Sequence, residues 1–93
     1  MGTNESETAC YTYMVRCADG TLYTGWTNDL QKRLTAHNSG KGAKYTASRR
    51  PVTLVYAERH EDKITAMQRE YSIKRLTKDA KEALIESTQN IAD

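Results

Sequence analysis

The sequence predicts an α+β fold: a three-stranded antiparallel sheet with flanking helices, in the order β-β-α-β-α-α. Three observations predict it. Residues 11–17 and 21–26 are rich in Tyr, Thr and Val and flank a short Gly-containing turn, the pattern of a β-hairpin. After Pro51, Val52, Leu54 and Tyr56 alternate with Thr53 and Val55, which predicts a third strand ending near Glu58. Elsewhere, apolar residues recur at helical spacing behind capping residues. Strands and helices in this order pack as one α+β layer structure.

The hairpin comes first, and its loop length decides which side chains share a face. A two-residue Asp19-Gly20 turn would set Ala18 opposite Thr21 and send Tyr13 and Tyr23 to opposite faces. A three-residue Ala18-Asp19-Gly20 loop sets Cys17 opposite Thr21 and puts both tyrosines on one face. The longer loop is expected, with Gly20 in the left-handed conformation.

Asn28 is expected to open the first helix, with Gln31 as its capping-box partner. Leu30 and Leu34 mark its buried stripe, His37 extends that stripe by nearly a turn, and Arg33 flanks it. Asn38-Ser39-Gly40 stops the helix, and residues 40–50 read as a basic loop. Glu61-Asp62 starts the second helix, acids at its positive end. Ile64, Met67 and Tyr71 lie along one face of it, with Glu70 beside them. Thr77 caps a third helix carrying Ala80, Ala83, Leu84 and Ile85.

At 93 residues the chain makes one domain, expected over residues 10–87. Such a domain buries roughly 60–70% of its unfolded surface, so the core is thin. Residues 1–9 are polar and acidic and read as a disordered tail, and 88–93 as a frayed end. No apolar run approaches a membrane span, and no signal-peptide pattern is present. Cys10 and Cys17 are oddly spaced on one strand and point to opposite faces, so they are placed badly for a disulfide. Their expected role is that of buried small hydrophobes in a reducing cytosol, which gives a cytoplasmic location. All 14 Lys and Arg fall between residues 10 and 85, whereas Glu5, Glu7, Glu86 and Asp93 lie outside that span. The folded part is therefore more basic than the chain's net +2, a balance compatible with a polyanionic partner.

Five residues carry the chemistry: Tyr13, Tyr23, Arg33, His37 and Glu70. Two phenols can relay a proton, an arginine can hold a phosphate, and a carboxylate can hold a divalent cation. Taken singly, each has an ordinary reading. Tyrosines suit pleated strands, Arg33 a solvated helix face, His37 a packed or capping role, and Glu70 a pair with Lys74. Taken together they resemble something specific.

Tyr11-Thr12-Tyr13 and Tyr23-Thr24-Gly25 stand at the two tripeptides that name the GIY-YIG endonuclease superfamily. Arg33 matches that family's helix arginine, His37 the position one turn later, and Glu70 the metal-binding glutamate of a later helix. The resemblance covers residues 11–85. It is strongest to the small stand-alone branch of predicted endonucleases, the YhbQ-like proteins. Gly40-Lys41-Gly42-Ala43-Lys44-Tyr45-Thr46, Arg49-Arg50-Pro51 and Arg69-Glu70-Tyr71 are similar to that branch's signature. Three features depart from the wider pattern. The first tripeptide keeps only its final Tyr, the second has Thr for Ile, and Trp26 stands where some family nucleases place a lysine.

The resemblance implies a metal-dependent endonuclease that hydrolyses DNA phosphodiester bonds, leaving a 5′-phosphate and a 3′-hydroxyl. It implies roles in DNA repair, recombination or processing. Tyr13 is expected as general base, Tyr23 as the group ordering water or the metal shell, and Arg33 as the phosphate ligand. His37 would orient a tyrosine or contact the phosphate. Glu70 would hold one Mg²⁺ or Mn²⁺ ion, weakly without substrate because a single carboxylate does so. Lys41, Lys44, Arg49 and Arg50 are expected to neutralise phosphates without reading bases. The expected partner is branched, flapped or single-stranded DNA; RNA stays open, and neither a membrane nor an obligate protein partner is indicated. Trp26 and the expected absence of a DNA-targeting domain support the alternative, a nucleic-acid-binding module of the same fold with little or no catalysis.

Overall fold

The computed structural model describes residues 9–92, with side-chain surroundings to residue 87. The expected tail over 1–9 lies outside the described residues apart from Ala9, which is buried. The expected frayed end over 88–93 lies outside the described side chains.

Strands β1 (Cys10–Arg16) and β2 (Leu22–Thr27) form the antiparallel hairpin, and β3 (Thr53–His60) pairs antiparallel with the other side of β1. The sheet order is β2-β1-β3. The loop is the three-residue one. The Cys17 N–H donates to the Thr21 carbonyl at 2.8 Å, and Gly20 takes φ +87° where a Cβ would be strained. Asp19 closes the turn by accepting from the N–H and hydroxyl of Thr21 at 3.1 and 2.6 Å. The resulting register sets Tyr13 opposite Gly25 and Val15 opposite Tyr23, so both tyrosines share a face.

β3 departs from simple alternation. Met14 pairs with Tyr56 but Val15 pairs with Leu54, so Val55 is an extra residue in the ladder. This bulge turns Leu54 toward the face that holds Val15, and Tyr56 toward the face that holds Met14. The strand also continues to His60, past the expected end, because β1 offers pairing partners as far as Cys10.

Helix α1 (Leu30–Asn38) is capped by Asp29 and not by Asn28. The Asp29 carboxylate accepts from the Lys32 N–H at 3.1 Å, which moves the cap one residue on and leaves Gln31 out of a capping box. The basic loop contains a single helical turn, α2 (Lys44–Ala47), which its Gly-flanked composition hid. Helix α3 (Lys63–Lys74) is capped by Asp62, and α4 (Lys78–Ala92) by the Thr77 hydroxyl, which accepts from the Ala80 N–H at 3.1 Å.

The helices cover both faces of the sheet. On one, Tyr13, Val15, Cys17 and Val52 are buried beneath Leu30 and Leu34 of α1. On the other, Met14, Tyr56, Ile73 and Ile85 meet under α3 and α4. Each fully buried large side chain contributes about 1.5–3 kcal/mol relative to exposure. The Thr12 hydroxyl donates to the Ala66 carbonyl at 2.8 Å and fixes α3 to β1. The face of α3 bearing Ile64, Met67 and Tyr71 points outward, while Ala66 and Ile73 face the sheet. Charged Arg69 and Glu70 lie partly buried between those two, so counting apolar residues indicates the wrong side. Both cysteines are buried and form no disulfide. Among the described residues no helix is long and apolar enough to cross a membrane.

Candidate active site

The hairpin parity and α1 together bring Tyr13 and His37 into contact beneath the surface. The Tyr13 hydroxyl lies 2.8 Å from Nε2 of His37, and Nδ1 of His37 lies 2.8 Å from the Thr46 hydroxyl on α2. Thr46 has one proton to give, and the Ala43 carbonyl, at 3.1 Å, can only accept it. The Thr46 oxygen therefore accepts from Nδ1–H of His37. That leaves Nε2 as a lone-pair acceptor, and Tyr13 donates to it.

Two glycines make room for this pair. A Cβ on Gly25 would sit 2.6 Å from the Tyr13 hydroxyl oxygen, since Tyr13 lies across its cross-strand neighbour. A Cβ on Gly42 would sit 2.3 Å from Nδ1 of His37 and 2.7 Å from its Cα. A glycine inside a strand signals close approach of this kind, and Gly25 is such a glycine.

His37 is fully buried, so it acts on a neighbour and touches no substrate. Its pKa is lowered by burial and then by the Arg33 charge, which keeps the imidazole neutral at pH 7. Tyr13 is 2% exposed. Burial raises its pKa most, Arg33 opposes that rise, and the charges of Tyr23 and Glu70 add to it.

Arg33 completes the cluster. Its Nε donates to the Tyr13 hydroxyl over a long 3.4 Å, and its terminal nitrogen donates to the Gly42 carbonyl at 2.8 Å. The Gly42 carbonyl anchors one terminal nitrogen, and the contact to Tyr13 is the weaker of the two. A shallow depression of about 300 Å³, lined by Thr27, Asn28, Asp29, Lys32 and Ala36, continues past Arg33. Tyr23 is half-buried. Its ring meets His37 edge-on with 5.3 Å between centroids.

Glu70 belongs to the helical layer on the other face of the sheet, yet its charge reaches Tyr13. Its side chain is 19% exposed and holds the Lys74 ammonium at 2.9 Å. Among the described residues no three His, Cys, Asp or Glu cluster as a metal cage. A lone carboxylate could hold only an ion that keeps waters and takes phosphate oxygens as further ligands, as Mg²⁺ and Mn²⁺ do, and here Lys74 would compete for it. Trp26 lies on the α3 side of β2, the opposite face from Tyr13 and Tyr23, with the Lys63 ammonium 5.8 Å from its ring.

The basic loop lies beside this cluster. Lys41, Lys44 and Arg50 are exposed and form no ion pair among the described residues. Arg49 is engaged: it pairs with Asp19 at 3.1 Å and covers the Tyr45 ring at 3.8 Å. Three contributors escape a sequence reading. Thr46 and the Gly42 carbonyl orient His37 and Arg33 from a stretch that reads as loop, and Tyr45 stacks on Tyr23. Gly42, four residues after the Asn38 that begins the helix stop, is the available signal.

Comparisons with known proteins identify the family. Residues 9–83 match the family model described as the GIY-YIG catalytic domain. A UPF0213 protein of Bacillus pumilus is 59% identical over 76 residues, 82% of this chain and 78% of that one. A UPF0213 protein of Clostridium perfringens is 57% identical over 77 residues, 83% of each chain. Among solved structures, the solution structure of a UPF0213 protein of Bacillus halodurans is 43% identical with a TM-score of 0.55, covering 85% of this chain and 84% of that one. A solution structure of a protein from E. faecalis is 40% identical with a TM-score of 0.59, covering 91% and 92%. With the match running from β1 into α4, the chain belongs to the GIY-YIG nuclease superfamily, among its small UPF0213 members.

Proposed function

We propose that the protein is an endonuclease that hydrolyses DNA phosphodiester bonds with one Mg²⁺ or Mn²⁺ ion, in DNA repair, recombination or processing. One observation carries this reading: the Tyr13 hydroxyl is held between Nε of Arg33 and Nε2 of His37, within reach of the Glu70 charge.

In this reading Arg33 turns to the scissile phosphate and balances the charge that develops there. Releasing its long contact leaves a lone pair on the Tyr13 oxygen. The attacking water gives a proton to that oxygen while Tyr13 passes its own proton to Nε2 of His37. A phenol with a pKa above 10 offers almost no phenolate at neutral pH, but a phenol that gives one proton as it takes another needs none. Thr46 holds the opposite edge of the imidazole during the transfer. Burial and Arg33 disfavour the charged imidazole, so after bond cleavage His37 returns its proton to the Tyr13 oxygen, Tyr13 releases the water-derived proton to solvent, and the leaving 3′-oxygen takes its proton from water. Tyr23 orders the water. Glu70 would hold the metal ion, which when bound stabilises charge on the leaving oxygen. The products would carry a 5′-phosphate and a 3′-hydroxyl.

The Lys74–Glu70 pair and the burial of Tyr13 favour a second reading, a nucleic-acid-binding module with little turnover. Incubating the wild type and Glu70→Ala with flapped, branched, single-stranded and supercoiled DNA, in Mg²⁺ and in Mn²⁺, separates the two. Cutting that Glu70→Ala abolishes supports the nuclease. Binding without cutting on every substrate supports the module. Cutting that survives Glu70→Ala removes the proposed site.

A further inference from the structure

Tyr45 borders the cluster, yet its side chain takes no part in the cluster's hydrogen bonds. Its ring lies nearly parallel to Tyr23, with 22° between planes and 6.0 Å between centroids. Tyr23 in turn meets His37 at 5.3 Å. An aromatic file thus runs from the buried histidine out to Tyr45, which is 37% exposed. At the outer end, the Arg49 guanidinium lies 3.8 Å from the Tyr45 centroid.

A flat delocalised cation on an aromatic face occupies the kind of place that a nucleobase takes. The bonds holding Arg49 there are exposed ones, to Asp19 at 3.1 Å and to the Tyr45 carbonyl at 2.8 Å. An exposed pair of this sort contributes little. Displaced from the ring, the guanidinium gains charge-assisted bonds on a neighbouring phosphate. Lys41 and Lys44, exposed and in no ion pair among the described residues, stand in the same loop for the adjoining backbone.

We infer that Tyr45 is a stacking platform for one unpaired nucleobase beside the scissile phosphate, with Arg49 as its displaceable cover. The inference rests on the nuclease reading above and gives it a substrate class. A base within an intact duplex is paired and stacked on both sides and has no face to offer, so the site should take single-stranded or unpaired nucleotides.

The test is binding without divalent metal, where nothing is cut. Wild type, Tyr45→Ala, Tyr45→Phe and Tyr45→Trp are titrated against a labelled oligothymidylate, an abasic oligomer of the same length and a duplex of the same length. Fluorescence anisotropy reads affinity. Tyr45→Ala should weaken oligothymidylate binding about 5- to 100-fold and leave the abasic oligomer and the duplex within about twofold. Tyr45→Phe should bind as the wild type. Tyr45→Trp fluorescence should be quenched by oligothymidylate and not by the abasic oligomer, above the background of Trp26 measured in the wild type. If the wild type binds oligothymidylate and Tyr45→Ala binds it as tightly, or loses all three ligands equally while Tyr45→Trp shows no quenching, the platform is overturned and the nuclease reading stands. If the wild type binds none of the three at low salt, both fail together.

Discussion

The Tyr13 hydroxyl donates its proton to Nε2 of His37, 2.8 Å away, and Thr46 fixes that direction from the far side of the ring. The phenol and the imidazole are thereby one unit. Removing either should remove the same step. Tyr13→Phe and His37→Phe should each slow cleavage about 10²- to 10⁴-fold, and the double variant should be no slower than the slower single one. Single-turnover rates check this. Multiplying effects would separate His37 from Tyr13.

The same burial sets a pH dependence. His37 titrates below its ordinary value of 6.5 because burial and then Arg33 disfavour the charged ring. As pH falls through 6.5, the unfolded chain takes up this proton before the folded one. The contribution to stability is complete above that value and is lost as pH falls toward the folded pKa. Urea denaturation of wild type and His37→Phe at about pH 8 and about pH 5 should show a steeper acid loss in the wild type. The acid limb of the cleavage rate should likewise lie below 6.5. An equal acid loss in both proteins would show that His37 is not depressed.

Thr24 offers a test free of catalysis. It is buried on the α3 face, and its hydroxyl finds no partner among the described residues. The family pattern places an apolar residue here. Thr24→Val keeps the shape and removes the unpaired group, so it should stabilise the fold by about 1 kcal/mol, raising Tm by about 4–8 °C. Calorimetry would show it; a lower Tm would mean that the hydroxyl has a partner.

Lys74 competes with the proposed ion for Glu70, whose carboxylate it holds at 2.9 Å. An i,i+4 pair is worth about 0.3–0.5 kcal/mol, so Lys74→Met should tighten Mn²⁺ binding about twofold. Electron paramagnetic resonance of free Mn²⁺ measures this directly. Weaker binding in Lys74→Met would remove Glu70 from the metal site.

Salt dependence tests the basic loop. If Lys41, Lys44, Arg49 and Arg50 neutralise about four phosphates, log K on duplex DNA should fall with log salt at a slope near −3.6. Each Lys→Ala change should reduce that slope by about 0.9. A slope near zero in the wild type would leave these side chains as ordinary surface.

Much of this architecture was legible because it rests on local rules. The hairpin loop follows from parity and a left-handed Gly20, and that parity alone places Tyr13 beside Tyr23. The Asp62 and Thr77 caps follow from residue type. What stayed hidden depends on contacts distant in sequence. The Val55 bulge arises from pairing between strands, and no alternation within residues 52–58 announces it. The outward turn of Ile64, Met67 and Tyr71 depends on Arg69, which pairs with Glu58 of β3 at 2.9 Å, and on Glu70, satisfied by Lys74. At the site, Arg33 and His37 could be placed one turn apart on a helix. Their partners in residues 42–46 could not, since that stretch carries no periodicity until Thr46 closes on His37.

The most direct test of the account is single-turnover cleavage of single-stranded and flapped DNA in Mn²⁺, with the new ends identified. The account predicts that the wild type leaves a 5′-phosphate and that Tyr13→Phe and Glu70→Gln each cut about 100-fold more slowly or worse. Equal cutting by all three proteins would contradict it, as would a wild type that binds DNA and cuts none of it.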